Sequence, residues 1–334
     1  MQEKGLAKVY FALTLAAVVL FIGGLAAGSV PIPIADVFHI LAGGESQRES
    51  WRFIVLETRL PQTLTALFAG GALSASGLLL QTAFKNPLAA PDIFGVTSGA
   101  SLMVALVSMG PSFVLLPIWL QHLTTVSAAF AGAMIVTLLI WVCSKWVRNS
   151  VMLIIVGIMI GYLASSATTL LNFFATEEGV KDFAVWGMGN FGNVSLAQMP
   201  LFATMCSLIT LSTLLFVKPL NAMLLGEYYS ENMGISYRTS RNILLLLTGL
   251  LTAIVTAYCG PIAFISLAVP HIARFFIGSG DHRKLLPVTI LTGCTVALLC
   301  NLLTNLPGDR GALPLNAVTS FIGAPVIIYV LLKH

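Results

Sequence analysis

Long apolar runs, separated by short polar or proline-rich breaks, make up most of this sequence. Ten of them approach or exceed the roughly 20 residues that a membrane-spanning helix needs. They lie near residues 8–28, 62–84, 93–110, 122–142, 151–174, 196–217, 241–259, 262–277, 286–305 and 315–332. The run Leu244–Ile254 does not alternate between apolar and polar positions, as a strand of a membrane β-barrel would. The pattern predicts an all-α fold, a polytopic membrane bundle of about ten transmembrane helices.

Two of the ten runs are less typical of spanning helices. The third contains Gly95 and Gly99 among threonine and serine residues, and the eighth contains Pro270, which removes a backbone donor. The longest break, about residues 29–58, has apolar residues at helical spacing over 34–41, which predicts a short helix on the membrane surface. The polar outer segment 177–193, with two glutamates and several glycines, is predicted to be a loop over the outer mouth.

Composition agrees with a membrane protein. Of the 334 residues, 57% are hydrophobic and 9% are charged, whereas about a quarter of the residues in a soluble domain are charged. The ten runs and their connecting segments extend from residue 8 to residue 332 and leave no room for a second folded domain, so we predict a single transmembrane domain over residues 1–334. The sequence shows no metal-ligand spacing and no feature that predicts a nucleic-acid partner; its surroundings are the lipid bilayer.

Charge sets the predicted orientation. With ten spans and a cytoplasmic start, both termini lie inside, and 12 of the 17 lysines and arginines then fall on the cytoplasmic side. This excess agrees with the rule that cytoplasmic loops carry more positive charge. Arg59, by contrast, lies at the outer mouth of the second span. It is either an anchor at the level of the lipid headgroups or a docking residue, and the sequence does not separate the two.

One face of the fifth span is polar. Its members recur at steps of four, four, three and four residues, so they form one helical stripe. They are Gly157, Gly161, Ser165, Thr168 and Asn172. Such a stripe should face away from lipid, and it is predicted either to pack against a neighbouring helix or to line a pathway. The two interpretations are equally supported by the residues alone.

The segment at about 218–240 is too polar to span the membrane. It predicts one or two short cytoplasmic helices broken at Gly226 and Gly234. Exposed tyrosine and methionine side chains beside acidic ones favour a protein-binding surface, because aromatic residues and methionine are enriched at such contacts. An amphipathic linker on the inner leaflet is the alternative.

The sequence lacks an energy source of its own. It contains no GxxxxGK[ST] loop to hold the phosphates of ATP, and its 13 carboxylates fall in loops or at predicted helix ends. The second point argues against a proton relay within the membrane. Transport is therefore passive or is driven by another subunit. An ATPase-independent channel or secondary carrier remains the alternative, and no paired acids or HExxH motif supports an intramembrane enzyme.

Four stretches, taken together and in order, resemble the FecCD or BtuC-type permeases of ABC importers for cobalamin, iron-siderophores and haem. They are ETRLPQTLTALFAGGALSASGLLLQTAFKNPLAAPDIFGVTSGA (57–100), LLGEYYSENMG (224–234), GPIAFISLAVPHIARFFIGSGDHRKLLP (260–287) and SFIGAP (320–325). The resemblance implies a non-catalytic permease in the cytoplasmic membrane of a bacterium. Two permease copies would pair around one pathway, with two ATPase subunits below and a substrate-binding protein outside. ATP and Mg²⁺ would be bound by the ATPases, and this chain would hold no cofactor.

The resemblance also implies roles for individual positions. The stripe from Gly157 to Asn172 would line the pathway, and the cytoplasmic gate would comprise Asn86, Leu88, Asn149 and Ser150. ATPase coupling would fall to Leu224, Gly226, Glu227, Tyr228, Glu231, Met233 and Gly234. Arg59 would dock the binding protein by pairing with one of its acidic residues.

The sequence departs from the family at its outer mouth. Gln62 and Asn305 stand where the family can carry arginines, so Arg310 is predicted to supply a replacement cation for docking. The resemblance implies a metal chelate as cargo, an iron-siderophore or haem in the first place and cobalamin next. The small, neutral stripe suits a bulky chelate but does not distinguish among these cargoes or an oxyanion.

Overall fold

The computed structural model describes residues 3–44, 48–109, 117–147, 149–306 and 311–333. Within these ranges the fold is all-α, which confirms the predicted class. The first half contains α1 (Glu3–Ala26), α2 (Ile34–Leu41), α3 (Glu49–Phe53), α4 (Leu60–Ala83), α5 (Val96–Ser108), α6 (Ile118–Trp146) and α7 (Ser150–Phe174). The second half contains α8 (Glu177–Gly187), α9 (Met199–Ser212), α10 (Val217–Leu225), α11 (Glu227–Asn232), α12 (Tyr237–Cys259), α13 (Ile265–Ile277), α14 (His282–Asn305) and α15 (Leu315–Lys333).

Each of the ten predicted spans corresponds to a helix. In the described part of the chain, seven helical stretches are long and apolar enough to cross a membrane, and three further apolar helices are shorter. The short ones include α5 and α13, the third and eighth spans. Each has 13 residues, or about 20 Å at 1.5 Å per residue, less than the roughly 30 Å of a bilayer core. Gly95 and Phe264, directly before α5 and α13, have left-handed backbone. This explains why the two helices begin a few residues after the predicted starts of the spans.

Helix α4 occupies the centre of the bundle. In its most apolar stretch 83% of the residues are buried, against 22% for α1. Small residues let its neighbours approach closely. A Cβ atom at Gly77 would lie 1.7 Å from the backbone oxygen of Ser266 in α13, and one at Gly70 would lie 2.3 Å from that of Gly293 in α14. Backbone-to-backbone packing of this kind fixes α13 and α14 against α4.

The first outer loop forms the predicted helix, α2, and packs against the end of α1. Val37 and Ile40 of α2 join Leu25 of α1 in a small apolar cluster apart from the main core, while Phe38 remains about half exposed. Beyond α3, a π-helical turn over Ile54–Arg59 leads directly into α4. The sequence pattern did not predict this turn.

The outer segment predicted as a loop contains a helix, α8, and that part of the prediction is wrong. Thr176 precedes the helix, and its hydroxyl accepts a hydrogen bond from the Gly179 amide at 3.3 Å. Glu177 and Glu178 then occupy the first turn, where carboxylates interact favourably with the helix dipole. These signals for a helix start outweigh the glycines that follow.

Candidate translocation pathway and coupling site

The glycines of the polar stripe on α7 serve close packing. A Cβ at Gly157 would meet the Cα of Phe94 at 3.1 Å, and one at Gly161 would meet the Cα of Gly95 at 3.2 Å. The inner half of α7 therefore rests on the backbone that leads into α5. A role for these two glycines in the pathway stays a prediction.

The outer half of the stripe borders a cavity of about 290 Å³. Hydroxyl groups dominate its lining, from Thr97, Ser98, Ser101, Ser165, Thr168 and Thr169. Phe183 of α8 and Pro261 complete the wall, so the helix missed by the sequence pattern covers part of this cavity. One turn farther along α7, the side-chain oxygen of Asn172 is buried without a hydrogen-bond partner among the described residues. A neutral, hydroxyl-rich wall can hydrogen-bond a passing solute without holding it by charge.

Asp92 lies near this hydroxyl-lined cavity, in the connection between α4 and α5. Its carboxylate hydrogen-bonds the side chain of Thr97, a cavity residue. Burial raises the pKa of Asp92 from 3.8 to about 7, although the bond from Thr97 opposes this shift. A folded-state pKa above the unfolded value means that ionisation of Asp92 destabilises the fold.

Replacing Asp92 with asparagine should therefore stabilise the protein in a pH-dependent way. The free-energy cost of ionising buried Asp92 is absent below the ordinary pKa of 3.8, grows as the pH rises, and is complete above about 7. We expect Asp92→Asn to melt about 2–4 °C above the original chain at pH 8, the shift that about 1 kcal/mol causes in a large domain. At pH 5 the difference in melting temperature between the two proteins should be smaller. The control is Asp182→Asn, at an exposed position in α8. If Asp92→Asn raises the melting temperature equally at both pH values, ionisation of Asp92 does not destabilise the fold.

The predicted gate residues lie at the inner end of the bundle, the end assigned to the cytoplasm. The side-chain oxygen of Asn86 accepts a hydrogen bond from the Leu88 amide at 2.9 Å, which stabilises a tight turn. The side-chain oxygen of Asn149 caps α7 by accepting from the Val151 amide at 2.8 Å. Tyr237 connects the two regions: its hydroxyl donates to the backbone oxygen of Ala83 at 3.2 Å and also hydrogen-bonds the Ser150 side chain.

The predicted coupling residues form one exposed surface, which we call the coupling segment, Leu224–Gly234. The predicted break at Gly226 is confirmed, with φ of 116° between α10 and α11, and Gly234 after α11 has φ of 77°. Leu224, Tyr228, Tyr229 and Met233 are 45%, 76%, 62% and 63% exposed. Glu227 and Glu231 are also exposed, and Glu227 lies 3.9 Å from Arg238 in a solvent-accessible ion pair. The segment thus presents aromatic, apolar and acidic groups together.

Arg59 lies inside the fold, not on its outer surface. The residue is 5% exposed, and its guanidinium donates to the backbone oxygens of Leu25 at 3.0 Å and Ala26 at 2.8 Å, and to that of Val30. It thereby satisfies carbonyl groups at the end of α1. This geometry favours a structural role, and docking by Arg59 remains a prediction. Arg310 lies outside the described residues.

The two outer positions that depart from the family pattern are neighbours. The Gln62 side-chain nitrogen donates to the Asn305 side-chain oxygen at 3.5 Å. Gln62 also borders a cavity of about 490 Å³ at the outer end, together with Trp186 and Asn190. The outer mouth is therefore lined by neutral amides at the place where the resemblance implied cations.

Sequence reasoning missed several polar residues at the inner end, among them Asn221, Tyr237 and His282. Tyr237 and His282 begin α12 and α14, whereas Asn221 lies midway along α10; His282 is 1% exposed. The available signal was a histidine directly after an aspartate at a predicted helix start. Its partners are too distant in sequence to be inferred from the pattern.

The chain resembles known membrane permeases along nearly its whole length. The model of the FecCD transport family matches residues 15–333. The vitamin B12 import system permease protein BtuC of Shigella sonnei is 35% identical over 284 residues, covering 84% of this chain and 83% of that protein. BtuC of Escherichia coli O157:H7 is 36% identical over the same length.

Solved structures give a matching picture of the fold. A chain described as a metal-chelate type ABC transporter in an inward-facing conformation superposes with a TM-score of 0.85 at 27% identity, covering 98% of this chain and 100% of that one. PsaBC from Streptococcus pneumoniae, solved with a Fab, gives a TM-score of 0.57 at 17% identity, covering 89% and 95%. The second likeness concerns the fold alone.

Proposed function

The chain belongs to the FecCD transport family, and on that premise we propose that it moves a metal chelate inward across the bacterial cytoplasmic membrane by alternating access. It is an ABC importer permease, a membrane subunit of a transport system. The cargo proposed for it is an iron-siderophore, haem or cobalamin. The name of the BtuC relatives supports cobalamin, and that of the solved structure supports a metal chelate.

The hydroxyl-lined cavity beside α7 is proposed to be half of the pathway, completed by a second copy of the chain. Ser165 and Thr169 on its rim are exposed, and large apolar side chains of the same helix, such as Leu163 and Phe173, are 73% and 81% exposed. Such a helix needs lipid or another subunit against its free face. Pairing of two copies would bring the polar groups together and leave the apolar ones to lipid.

The observation that carries the ATP-driven mechanism is the coupling segment, exposed at the inner end and built of aromatic, methionine and acidic side chains. We assign to it the docking of a separate ATPase subunit, which binds ATP and Mg²⁺. A substrate-binding protein at the outer face is proposed to deliver the cargo.

Reversal of one charge tests this assignment. Glu227→Arg should weaken association with the ATPase by about tenfold or more, because the segment loses an acidic contact and gains a cation beside Arg238. The measurement is the affinity of the ATPase for the permease in nanodiscs. Glu178→Arg, which reverses an exposed acid at the outer end, is the matched control. Unchanged affinity in Glu227→Arg would remove this residue from the interface.

Purification from the native membrane separates the importer from its alternative. We expect a nucleotide-binding subunit and an extracytoplasmic binding protein to be recovered with the tagged chain, and the complex to hydrolyse ATP. A chain that is recovered alone and moves solute without ATP would instead be a channel or secondary carrier.

A further inference from the structure

A continuous set of hydrogen bonds joins α10, which leads into the coupling segment, to the last turn of α4. The Asn221 side-chain nitrogen in α10 donates to Asp281 Oδ1 at 2.7 Å. Its side-chain oxygen lies 2.9 Å from His282 Nδ1 and accepts from the His282 amide at 2.8 Å. On the other side of the ring, His282 Nε2 lies 2.8 Å from the Thr82 hydroxyl in α4. We call this set the inner relay: Asn221, His282 and Thr82.

The directions of the bonds among Asp281, Asn221 and His282 follow from the chemistry of these residues. Asp281 caps α14, and bonds from the Arg283 amide and from Asn221 keep the pKa of its carboxyl low. An ionised carboxylate only accepts, so Asn221 must turn its nitrogen toward Asp281 and its oxygen toward His282. His282 Nδ1 is then a donor. In the neutral ring Nε2 accepts. The Thr82 hydroxyl has one hydrogen to donate and lies 2.8 Å from Nε2 and 2.9 Å from the Leu78 backbone oxygen of its own helix, so these two acceptors share it.

The relay ends beside one of the predicted gate regions. The Thr82 backbone oxygen accepts from the Lys85 amide at 3.2 Å, and that of the preceding residue, Gln81, accepts from the Asn86 amide at 3.1 Å. The Gln81 side chain is held by Arg274 of α13 at 2.6 Å. Displacement of the last turn of α4 therefore displaces the turn that carries Asn86.

The other end of the relay is joined firmly to the coupling segment. Ser230 of α11 is completely buried, and its hydroxyl lies 2.9 Å from the Ala222 oxygen and 2.7 Å from the Gly226 oxygen. These contacts hold α11 onto α10. Because these hydrogen bonds join α11 to α10, movement of the exposed tyrosines of α11 also moves Asn221.

We propose that His282 is a positioning residue that transmits movement of the coupling segment to the inner gate through its paired bonds to Asn221 and Thr82. His282 is 1% exposed and does not line the hydroxyl-rich cavity, so we assign its effect to the coupling between the two sites. This inference rests on the proposed function, because it requires an ATPase at the coupling segment.

Two substitutions each retain half of the inner relay. His282→Asn keeps a donor near the Nδ1 position and loses the reach to Thr82, whereas His282→Gln places its amide near Nε2 and loses the bond to Asn221. Thr82→Val removes one hydroxyl with little change in volume. Thr289→Val is the matched control, because Thr289 is equally buried in α14 but its hydroxyl bonds only the Leu285 oxygen of its own helix, at 2.7 Å.

The experiment measures solute moved per ATP hydrolysed by the full complex in proteoliposomes, normalised to assembled complex. In the three relay variants we expect ATP hydrolysis within about twofold of the original and transport per ATP lower by about fivefold or more. Thr289→Val should match the original chain. Unchanged transport per ATP in the relay variants would overturn the proposal, even if those variants assemble into less complex. Failure of the original chain to bind an ATPase would instead overturn the proposed function.

Discussion

Gly77→Ala should prevent the permease from reaching its native packing. The added Cβ would lie 1.7 Å from the Ser266 backbone oxygen, and a backbone atom cannot move aside as a flexible side chain can. Helices α4 and α13 would have to separate along their contact, at a cost of about 3 kcal/mol or more. The measurement is the fraction of monodisperse protein after detergent extraction, together with its thermal midpoint.

Gly23→Ala provides the comparison for this substitution. Gly23 is also a helical glycine, in α1, but a Cβ there would meet only side-chain atoms of Leu302, at 3.6 Å or more. That distance is an ordinary contact, so we expect wild-type yield and stability. Equal yields for the two variants would show that α4 and α13 do not pack as closely as described.

The second large effect is expected at Arg59. Arg59→Gln removes the charge and leaves a side chain that cannot satisfy three carbonyl oxygens together. Unsatisfied carbonyls at the buried end of α1 should lower the free energy of unfolding by about 3 kcal/mol. Arg59→Lys, which keeps the charge but not the planar group, should be intermediate. Thermal midpoints of the purified variants measure the effect.

The same variants separate a structural role for Arg59 from docking. Arg52→Gln changes an exposed arginine in the nearby α3 and should leave stability unchanged. If Arg59→Gln is as stable as Arg52→Gln but binds the substrate-binding protein more weakly, Arg59 is a docking residue and the structural argument is wrong.

The approximate positions of the ten apolar helices were predictable, because burial in lipid requires long apolar runs. The interruptions at Gly226 and Gly234 were also predictable, because few residues other than glycine adopt positive φ. Helix α8 was missed because its segment is polar and contains several glycines, although Thr176 and the two glutamates after it are signals of a helix start. The short lengths of α5 and α13 were suggested only by the polar residues and the proline within their runs.

The candidate site was less accessible to sequence reasoning, because its contacts join distant residues. Thr82 and His282 are 200 positions apart, and no periodicity relates them. The position of Arg59 at the outer mouth was predictable. The inward orientation of its side chain was not, since its acceptors lie on α1 and the loop that follows. The polar stripe on α7 could be seen in the sequence, but its division into packing glycines and cavity-lining hydroxyls depends on which helix lies opposite.

The central position of α4 also constrains biosynthesis. The helix is enclosed largely by segments that emerge later, above all α14, which begins about 200 residues downstream. At roughly 5–20 residues per second, the ribosome needs about 10–40 s to deliver that partner. During this interval a helix rich in glycine, serine and threonine must wait in the membrane without its final neighbours. Nascent chains stalled before α14 should therefore be the ones that insertion factors retain and quality-control proteases remove.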